Sequence, residues 1–126
     1  MTTIKVLDSN GIVLDWLVWK CEEHPKVNKT NNPLLFKWGT GDFPNYSTNW
    51  SIAGPIIERE GIDIQQVFCY MEGSFAESCG WQALRHTKGG PINPPRQVAD
   101  TPLIAAMRCY VASKMGDVVE VPDELL

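Results

Sequence analysis

The sequence predicts an α+β fold in which a small antiparallel sheet of two to four short strands packs with two or three helices. Three features support this prediction. Two long segments have helical capping and apolar spacing, two others alternate apolar and polar residues, and long irregular loops rich in proline, glycine and asparagine separate them. With 126 residues, 44% of them hydrophobic, the chain can build one core, so we expect a single domain over 1–126.

The first helix is predicted over 9–23. Asp8 or Ser9 offers a capping oxygen, and the helix should end before Pro25, because the residue before a proline disfavours helical backbone. Spacings of three and four place these residues on one face: Val13, Trp16, Leu17, Lys20 and Cys21. Residues 26–45 are predicted to form a loop with at most one short strand, at 34–38.

A second helical region is predicted within 46–62, where Ser47 or Thr48 can act as the cap. The dipeptide Gly54-Pro55 lies in its middle. Because proline lacks an amide hydrogen and is tolerated best in a first turn, we expect one helical turn before the dipeptide and a separate short helix after it.

Two strands are predicted next, over 62–71 and 81–87, because apolar and polar residues alternate there. The connection at 72–80 contains glycine and serine and suits a loose hairpin. Residues 88–99 are rich in glycine and proline and are predicted to form a second long loop.

The last helix has the clearest signals. Asp100 or Thr101 can cap it, Pro102 occupies its first position, and Gly116 can close it. Its apolar stripe is predicted to comprise Leu103, Ala106, Met107, Tyr110 and Val111. The acidic tail, 117–126, is expected to add an edge strand at 118–121.

The charge of the chain argues against several partners. The net charge is −4 and the pI about 5.1, and residues 1–116 carry 11 basic against 11 acidic residues, so we expect no duplex nucleic acid partner. We see no secretory leader and no apolar run of the roughly 18–20 residues that a membrane span needs, so no membrane partner is expected. The four cysteines are then expected to be reduced thiols, buried except for Cys79, which lies next to Gly80 in a polar loop.

Motifs for catalysis and cofactor binding are missing from the sequence. There is no phosphate-cradling loop, no GxSxG, no HExxH and no CxxC pair, so no cofactor and no metal are predicted. The one closely spaced pair of zinc-ligand types is Cys21 with His24, and a closed site usually uses two such pairs. A small atypical enzyme stays open as an alternative, using either a cysteine nucleophile near His86 (Cys79, or else Cys69) or a pair of carboxylates.

Binding is the better-supported hypothesis, because aromatic and basic residues concentrate in and around the irregular segments. Tyr46 and Trp50 follow the first loop, and Arg85 and Arg96 flank the second. Aromatic faces can stack a nucleobase, and guanidinium groups can pair a phosphate. The structural alternative is that Trp38 and Trp50 simply pin loops to the core.

Two blocks, YSTNWSIAGPIIEREGI at 46–62 and TPLIAAMRCYVASKMGDVVEVPDEL at 101–125, carry a resemblance, supported by DWLVWKCEE at 15–23. Together they resemble the NinX-like proteins, a family of small proteins encoded by bacteriophages and prophages. The family's recurrent residues map here to Tyr46, Trp50, Gly54, Pro55, Glu58, Pro102, Ala105, Ala106 and Met107. Gly54, Pro55 and the two alanines have structural roles, whereas Tyr46, Trp50 and Glu58 are harder to explain that way.

The resemblance implies a phage accessory protein working in the cytoplasm of the bacterial host. We expect it to act by non-catalytic binding and to counter a host defence by capturing a small nucleotide-like signal. The predicted ligand-binding residues are Tyr46, Trp50, Glu58, Arg85 and Arg96. Inhibition of a host protein, with the acidic tail on a basic surface of the target, is the alternative, and the many Trp, Tyr and Val residues are compatible with a homo-oligomer.

Overall fold

The computed structural model of the protein describes residues 2–22, 44–69, 77–85 and 96–126. Within these ranges the chain forms three helices and two small antiparallel sheets, which confirms the predicted α+β class. The elements in chain order are β1 (Thr2–Lys5), α1 (Gly11–Cys21), α2 (Trp50–Glu60), β2 (Ile62–Cys69), β3 (Glu77–Arg85), β4 (Gln97–Ala99), α3 (Pro102–Met115) and β5 (Val118–Val121), with short 3-10 turns at Val6–Asp8 and Asp123–Leu125. No helix of the described ranges is long and apolar enough to cross a membrane.

Helix α3 forms the centre of the core. Thr101 caps it as predicted, its hydroxyl accepting a hydrogen bond from the Ile104 amide at 3.2 Å. The helix packs against α1, α2 and the three-stranded sheet, so it is buried on more than the predicted stripe. Ala105 and Ala106 are fully enclosed, because small side chains allow the neighbouring elements to approach closely.

Helix α1 is shorter than predicted. It begins at Gly11 after the N-cap Asn10, rather than after Asp8 or Ser9, because Val6–Asp8 forms a 3-10 turn and the Ser9 hydroxyl donates to the carbonyl of Val6 at 2.6 Å. The predicted apolar face is also too narrow. Every residue from Leu14 to Trp19 is buried, whereas Lys20 is exposed.

Helix α2 corrects the prediction of two pieces. It runs unbroken from Trp50 to Glu60 with Pro55 inside it, and Asn49 caps it instead of Ser47 or Thr48. Pro55 removes one backbone hydrogen bond. The continuous helix is compatible with this loss because Ala53 and Ile56 pack into the core on the opposite side from the exposed proline. Gly61 then ends α2 in the left-handed conformation.

The three-stranded sheet has the order β2-β3-β4, with both pairs antiparallel. Strand β3 begins at Glu77 rather than 81, and β4 lies within the stretch predicted to be a loop. The register of β2 and β3 shifts between Val67 and Phe68, which leaves Cys79 as the extra residue of a β-bulge. Parts of the predicted loops at 72–80 and 88–99 are therefore strands. The sequence did not indicate them because they form by pairing with distant residues.

The bulge brings two cysteines together. Cys69 and Cys79 form a disulfide with their Cα atoms 5.7 Å apart, in place of the reduced thiols that we predicted. Both residues are exposed, whereas Cys109 is fully buried and Cys21 half-buried. The predicted exposure of Cys79 is therefore confirmed, whereas the prediction of a buried cysteine is wrong for Cys69.

The acidic tail is part of the fold. The predicted strand at 118–121 is β5, and it pairs with β1, a strand that the sequence did not predict. Val121 and Leu125 are buried in the core, so the tail cannot be removed without exposing apolar surface. The predicted strand at 34–38, together with His24 and His86, lies outside the described residues.

Candidate functional site

Trp50 lies on the surface at the first residue of α2, with 52% of its side chain exposed. Its ring borders a cavity of 280 Å³, the Trp50 cavity. The other walls are the turn before α2 and the first turn of α3, comprising Ser47, Thr48, Thr101, Pro102, Leu103 and Ile104. The sequence placed Trp50 at a binding site, and the structure leaves its ring accessible there.

A buried carboxylate fixes the turn that precedes Trp50. Asp15 of α1 accepts a hydrogen bond from the Ser47 amide at 2.8 Å. Burial raises the pKa of Asp15, and the bonds from Ser47 act in the opposite direction. Because Asp15 lies within α1, the position of the turn, and with it that of Trp50, is set by the core.

The other end of α2 is held by an ionic cluster. The Arg59 guanidinium donates to Glu22 at 3.0 Å and to the Tyr110 hydroxyl at 3.2 Å, while Lys114 pairs with Glu60 at 3.1 Å. Arg59 is about half exposed, so each ion pair contributes little to stability by itself. Their joint effect is to link α2 to the end of α1 and to α3, so that the helix bearing Trp50 is fixed at both ends.

Two helix N-termini meet at the Trp50 cavity, since α2 begins at Trp50 and α3 at Pro102. First-turn amides point along the helix axis and give each N-terminus a partial positive charge. Ser47, also in the wall, is 3% exposed, and its hydroxyl lies near enough to Asp15 to lower the pKa of that carboxyl. The cavity thus combines an apolar lining with the hydroxyl-bearing residues Ser47, Thr48 and Thr101.

A larger cavity of 450 Å³, the Trp81 cavity, lies on the other side of Ile104. Trp81 of β3 and Arg108 of α3 contribute its largest side chains, and Asn10 and Asp100 add polar groups. The remaining wall comprises Val67, Cys79, Val98, Ala99 and Ile104. The sequence analysis missed this site because Trp81 fits a strand pattern and Arg108 a helix pattern, and only the fold brings them together.

Arg108 is held rigidly at the Trp81 cavity. Its Nε donates to the carbonyl of Ser9 at 2.7 Å and one terminal nitrogen donates to the carbonyl of Val98 at 2.6 Å. Burial lowers the pKa of Arg108, while the nearby Asp100 and Asp8 raise it. The guanidinium therefore links the 3-10 turn, β4 and α3, and it adds a fixed charge next to the carboxylate of Asp100.

The other predicted site residues lie apart from Trp50. Tyr46 was predicted to bind the ligand, but it is 4% exposed and packs in the core. Burial there raises the pKa of its hydroxyl to about 12. Glu58 is exposed on α2. Arg85 is half-buried and donates to the carbonyl of Glu60 at 2.9 Å, beside the end of α2.

Arg96 lines a third cavity, of 250 Å³, together with Lys5, Leu7 and Val118. Its guanidinium donates to Gln82 at 3.0 Å. None of these three cavities is lined by more than one of the five predicted residues. Among the described residues these three cavities keep Trp50 apart from Arg96, and Trp50 is the predicted aromatic residue that lines one of them. Residues 38–43 and 86–95, which belong to the segments expected to frame a shared pocket, lie outside the described residues, so that pocket stays a prediction.

The cysteines and histidines offer no assembled reactive group in the described ranges. Cys79 is part of the disulfide, so in this state it is no thiolate nucleophile, and burial raises the pKa of Cys109 to about 11. No three His, Cys, Asp or Glu side chains among residues 2–22, 44–69, 77–85 and 96–126 come close enough to hold a metal ion. His24, the predicted partner of Cys21 in a zinc-ligand pair, lies outside these ranges.

Comparison with known proteins identifies the family of the chain. No curated protein matches it significantly. A family model matches residues 5–114 of the chain. This span includes every lining residue of the Trp50 cavity and of the Trp81 cavity. That model describes the NinX protein of bacteriophage P22, and the chain therefore belongs to the phage P22 NinX family.

Proposed function

We propose that this phage protein acts in the cytoplasm of the bacterial host by non-catalytic binding of a small nucleotide-like molecule. Capture of such a signal would counter a host defence that depends on it. The observation that carries the proposal is the exposed indole of Trp50 at a cavity between two helix N-termini. Aromatic rings stack nucleobases, and helix N-termini favour anionic groups, so both parts of a nucleotide have a matching surface.

The rigidity of this surface supports capture. Asp15 fixes the turn before Trp50, and Arg59 fixes the far end of α2. A ring that is already ordered costs little conformational entropy when a ligand binds. Trp50 is also poorly explained as a core residue, because half of its side chain is in solvent while Ala53 and Ile56 of the same helix fill the core.

The test is calorimetric titration of the whole protein with AMP, ADP-ribose and cyclic dinucleotides. We expect at least one of these probes to bind. Trp50→Ala should lower the affinity about 10- to 100-fold, the range typical of a lost base–aromatic stack, and Trp50→Phe should recover part of it. Failure of every probe to bind would remove the capture hypothesis.

Phe68→Ala is the matched control. Phe68 has the same exposed fraction as Trp50, 52%, but lies on β2 and lines neither the Trp50 cavity nor the Trp81 cavity. Its replacement should leave affinity unchanged. Equal losses in both variants would mean that general apolar adhesion, rather than the cavity, accounts for binding.

Binding to a host protein is the alternative outcome of the same experiment. In that case the small probes should fail, while charge reversal at Glu120, which is exposed on β5, should weaken inhibition of the target. Deleting the whole tail would not distinguish the two hypotheses, because Val121 and Leu125 belong to the core.

A further inference from the structure

The Trp50 and Trp81 cavities are neighbours on one face of the protein. Ile104, in the first turn of α3, lines both of them. Each cavity carries one tryptophan that is at least partly exposed. The first turn of α3, from Thr101 to Ile104, therefore separates two aromatic sites.

The Trp81 cavity has polar groups suited to the edge of a nucleobase. The Asn10 side chain makes no capping hydrogen bond to α1. An amide can pair with an adenine edge through one donor and one acceptor, and a carboxylate such as Asp100 accepts from an exocyclic amino group. Because Arg108 and Asp100 carry opposite charges, this cavity favours a neutral polar ring over a bare phosphate.

The Trp50 cavity differs in character. Its lining is mostly apolar, and hydroxyl groups and two helix N-termini supply its polar atoms. In the first turn of α3, Pro102 has no amide hydrogen and the Ile104 amide already donates to Thr101, so the joint partial charge of the two helix N-termini, rather than a set of free amides, favours an anionic group. A ring stacked on Trp50 with an anionic group beside these N-termini fits this combination.

From these two neighbouring cavities we infer that the ligand has two ring systems joined by an anionic linker, as a dinucleotide has. One base lies on Trp50, the other enters the Trp81 cavity, and the linker crosses the first turn of α3 at Ile104. The Trp50 cavity, at 280 Å³, is slightly smaller than the roughly 300–1,000 Å³ of usual ligand sites, and the neighbouring 450 Å³ cavity supplies further room for a larger ligand. This inference rests on the proposed function and names its ligand class.

The test compares cyclic di-AMP with AMP by titration calorimetry on the same protein. Engagement of a second stacking site should make cyclic di-AMP bind about 10- to 100-fold more tightly than AMP. Trp81→Ala should remove that advantage while leaving the affinity for AMP unchanged, since AMP needs only the Trp50 cavity.

Asn10→Ala provides a second variant in case loss of Trp81 disturbs the sheet. Asn10 is exposed and its side chain makes no cap bond, so the fold should tolerate the change. It should lower the affinity for cyclic di-AMP several-fold and spare AMP. Phe68→Ala again serves as the control that alters an exposed ring away from both cavities.

The outcomes separate the two hypotheses. Equal affinity for AMP and cyclic di-AMP, or an unchanged ratio in Trp81→Ala and Asn10→Ala, would overturn the two-ring inference and leave capture at Trp50 intact. If neither compound binds, the two-ring inference is overturned, and capture at Trp50 is overturned with it when ADP-ribose also fails to bind.

Discussion

Gly80 should be the glycine of the sheet least tolerant of substitution. It follows the bulge at Cys79 and has a φ of 124°, a conformation that side chains rarely adopt. A Cβ placed on it would lie 2.7 Å from the carbonyl oxygen of Ala99 in β4. Because both the contact and the dihedral involve backbone, no side-chain rotation can relieve the clash.

The magnitude of the effect of Gly80→Ala follows from these two costs. An unfavourable backbone conformation costs about 1–3 kcal/mol, and the overlap with β4 adds to it, so we expect a loss of about 3 kcal/mol. For 126 residues the unfolding entropy is about 0.26 kcal/mol/K, so the melting temperature should fall by roughly 10 °C. Differential scanning calorimetry measures this shift.

Gly54→Ala is the matched substitution. Gly54 lies inside α2, and apart from its neighbours in the helix a Cβ there would meet nothing within 4 Å. Alanine is favoured over glycine in a helix by about 0.5–1 kcal/mol, but the ring of Pro55 crowds a Cβ on the residue before it, so the two effects oppose each other and this variant should melt within about 4 °C of the unchanged protein. If Gly80→Ala melted within 2 °C of the unchanged protein, the close approach of β3 to β4 would not constrain this position.

Three further changes test other parts of the fold. Reducing the Cys69–Cys79 disulfide, which spans 10 residues, should lower the free energy of unfolding in urea by about 2–3 kcal/mol, and a double serine variant should not respond to reductant. Burial raises the pKa of Asp15, so the folded state binds the proton of this carboxyl more tightly than the unfolded state does. The free energy of unfolding should therefore fall as pH rises above 3.8, the ordinary pKa of the carboxyl. Asp15→Asn should remove this fall. Val121→Ala should cost about 2 kcal/mol in urea unfolding, whereas Glu120→Ala, at an exposed position of the same strand, should change stability by less than about 0.5 kcal/mol.

The sequence predicted those elements whose signals are local. Helix α3 has its cap at Thr101 and its proline at the first position, and both signals lie within three residues of the helix start. Strands β1 and β4 were missed because each has only three or four residues and is defined by a distant partner. Short edge strands of this kind carry too few alternating positions to be recognised.

The candidate site was predicted only in part for a similar reason. Tyr46 and Trp50 lie four residues apart, and both looked like binding residues. The structure encloses Tyr46 and exposes Trp50, because the bond from Ser47 to Asp15, 32 residues away, sets the path of the turn. Likewise the Trp81 cavity joins residues from four parts of the chain, so no single segment could have indicated it.

The exposed ring of Trp50 could contact either a ligand or a second copy of the chain. The shape of the surface around the ring favours one of these two roles. A self-association surface is usually a flat, contiguous apolar patch, whereas Trp50 borders a concavity with hydroxyl groups in its wall. Sedimentation velocity of Trp50→Ala and of the unchanged protein separates the two roles. We expect the same sedimentation coefficient for both across a wide concentration range, because the indole serves a ligand. A concentration-dependent dimer that disappears in Trp50→Ala would instead assign the indole to a dimer interface. In that case the nucleotide probes should compete with dimerisation only if the Trp50 cavity both binds the probe and contacts the second copy.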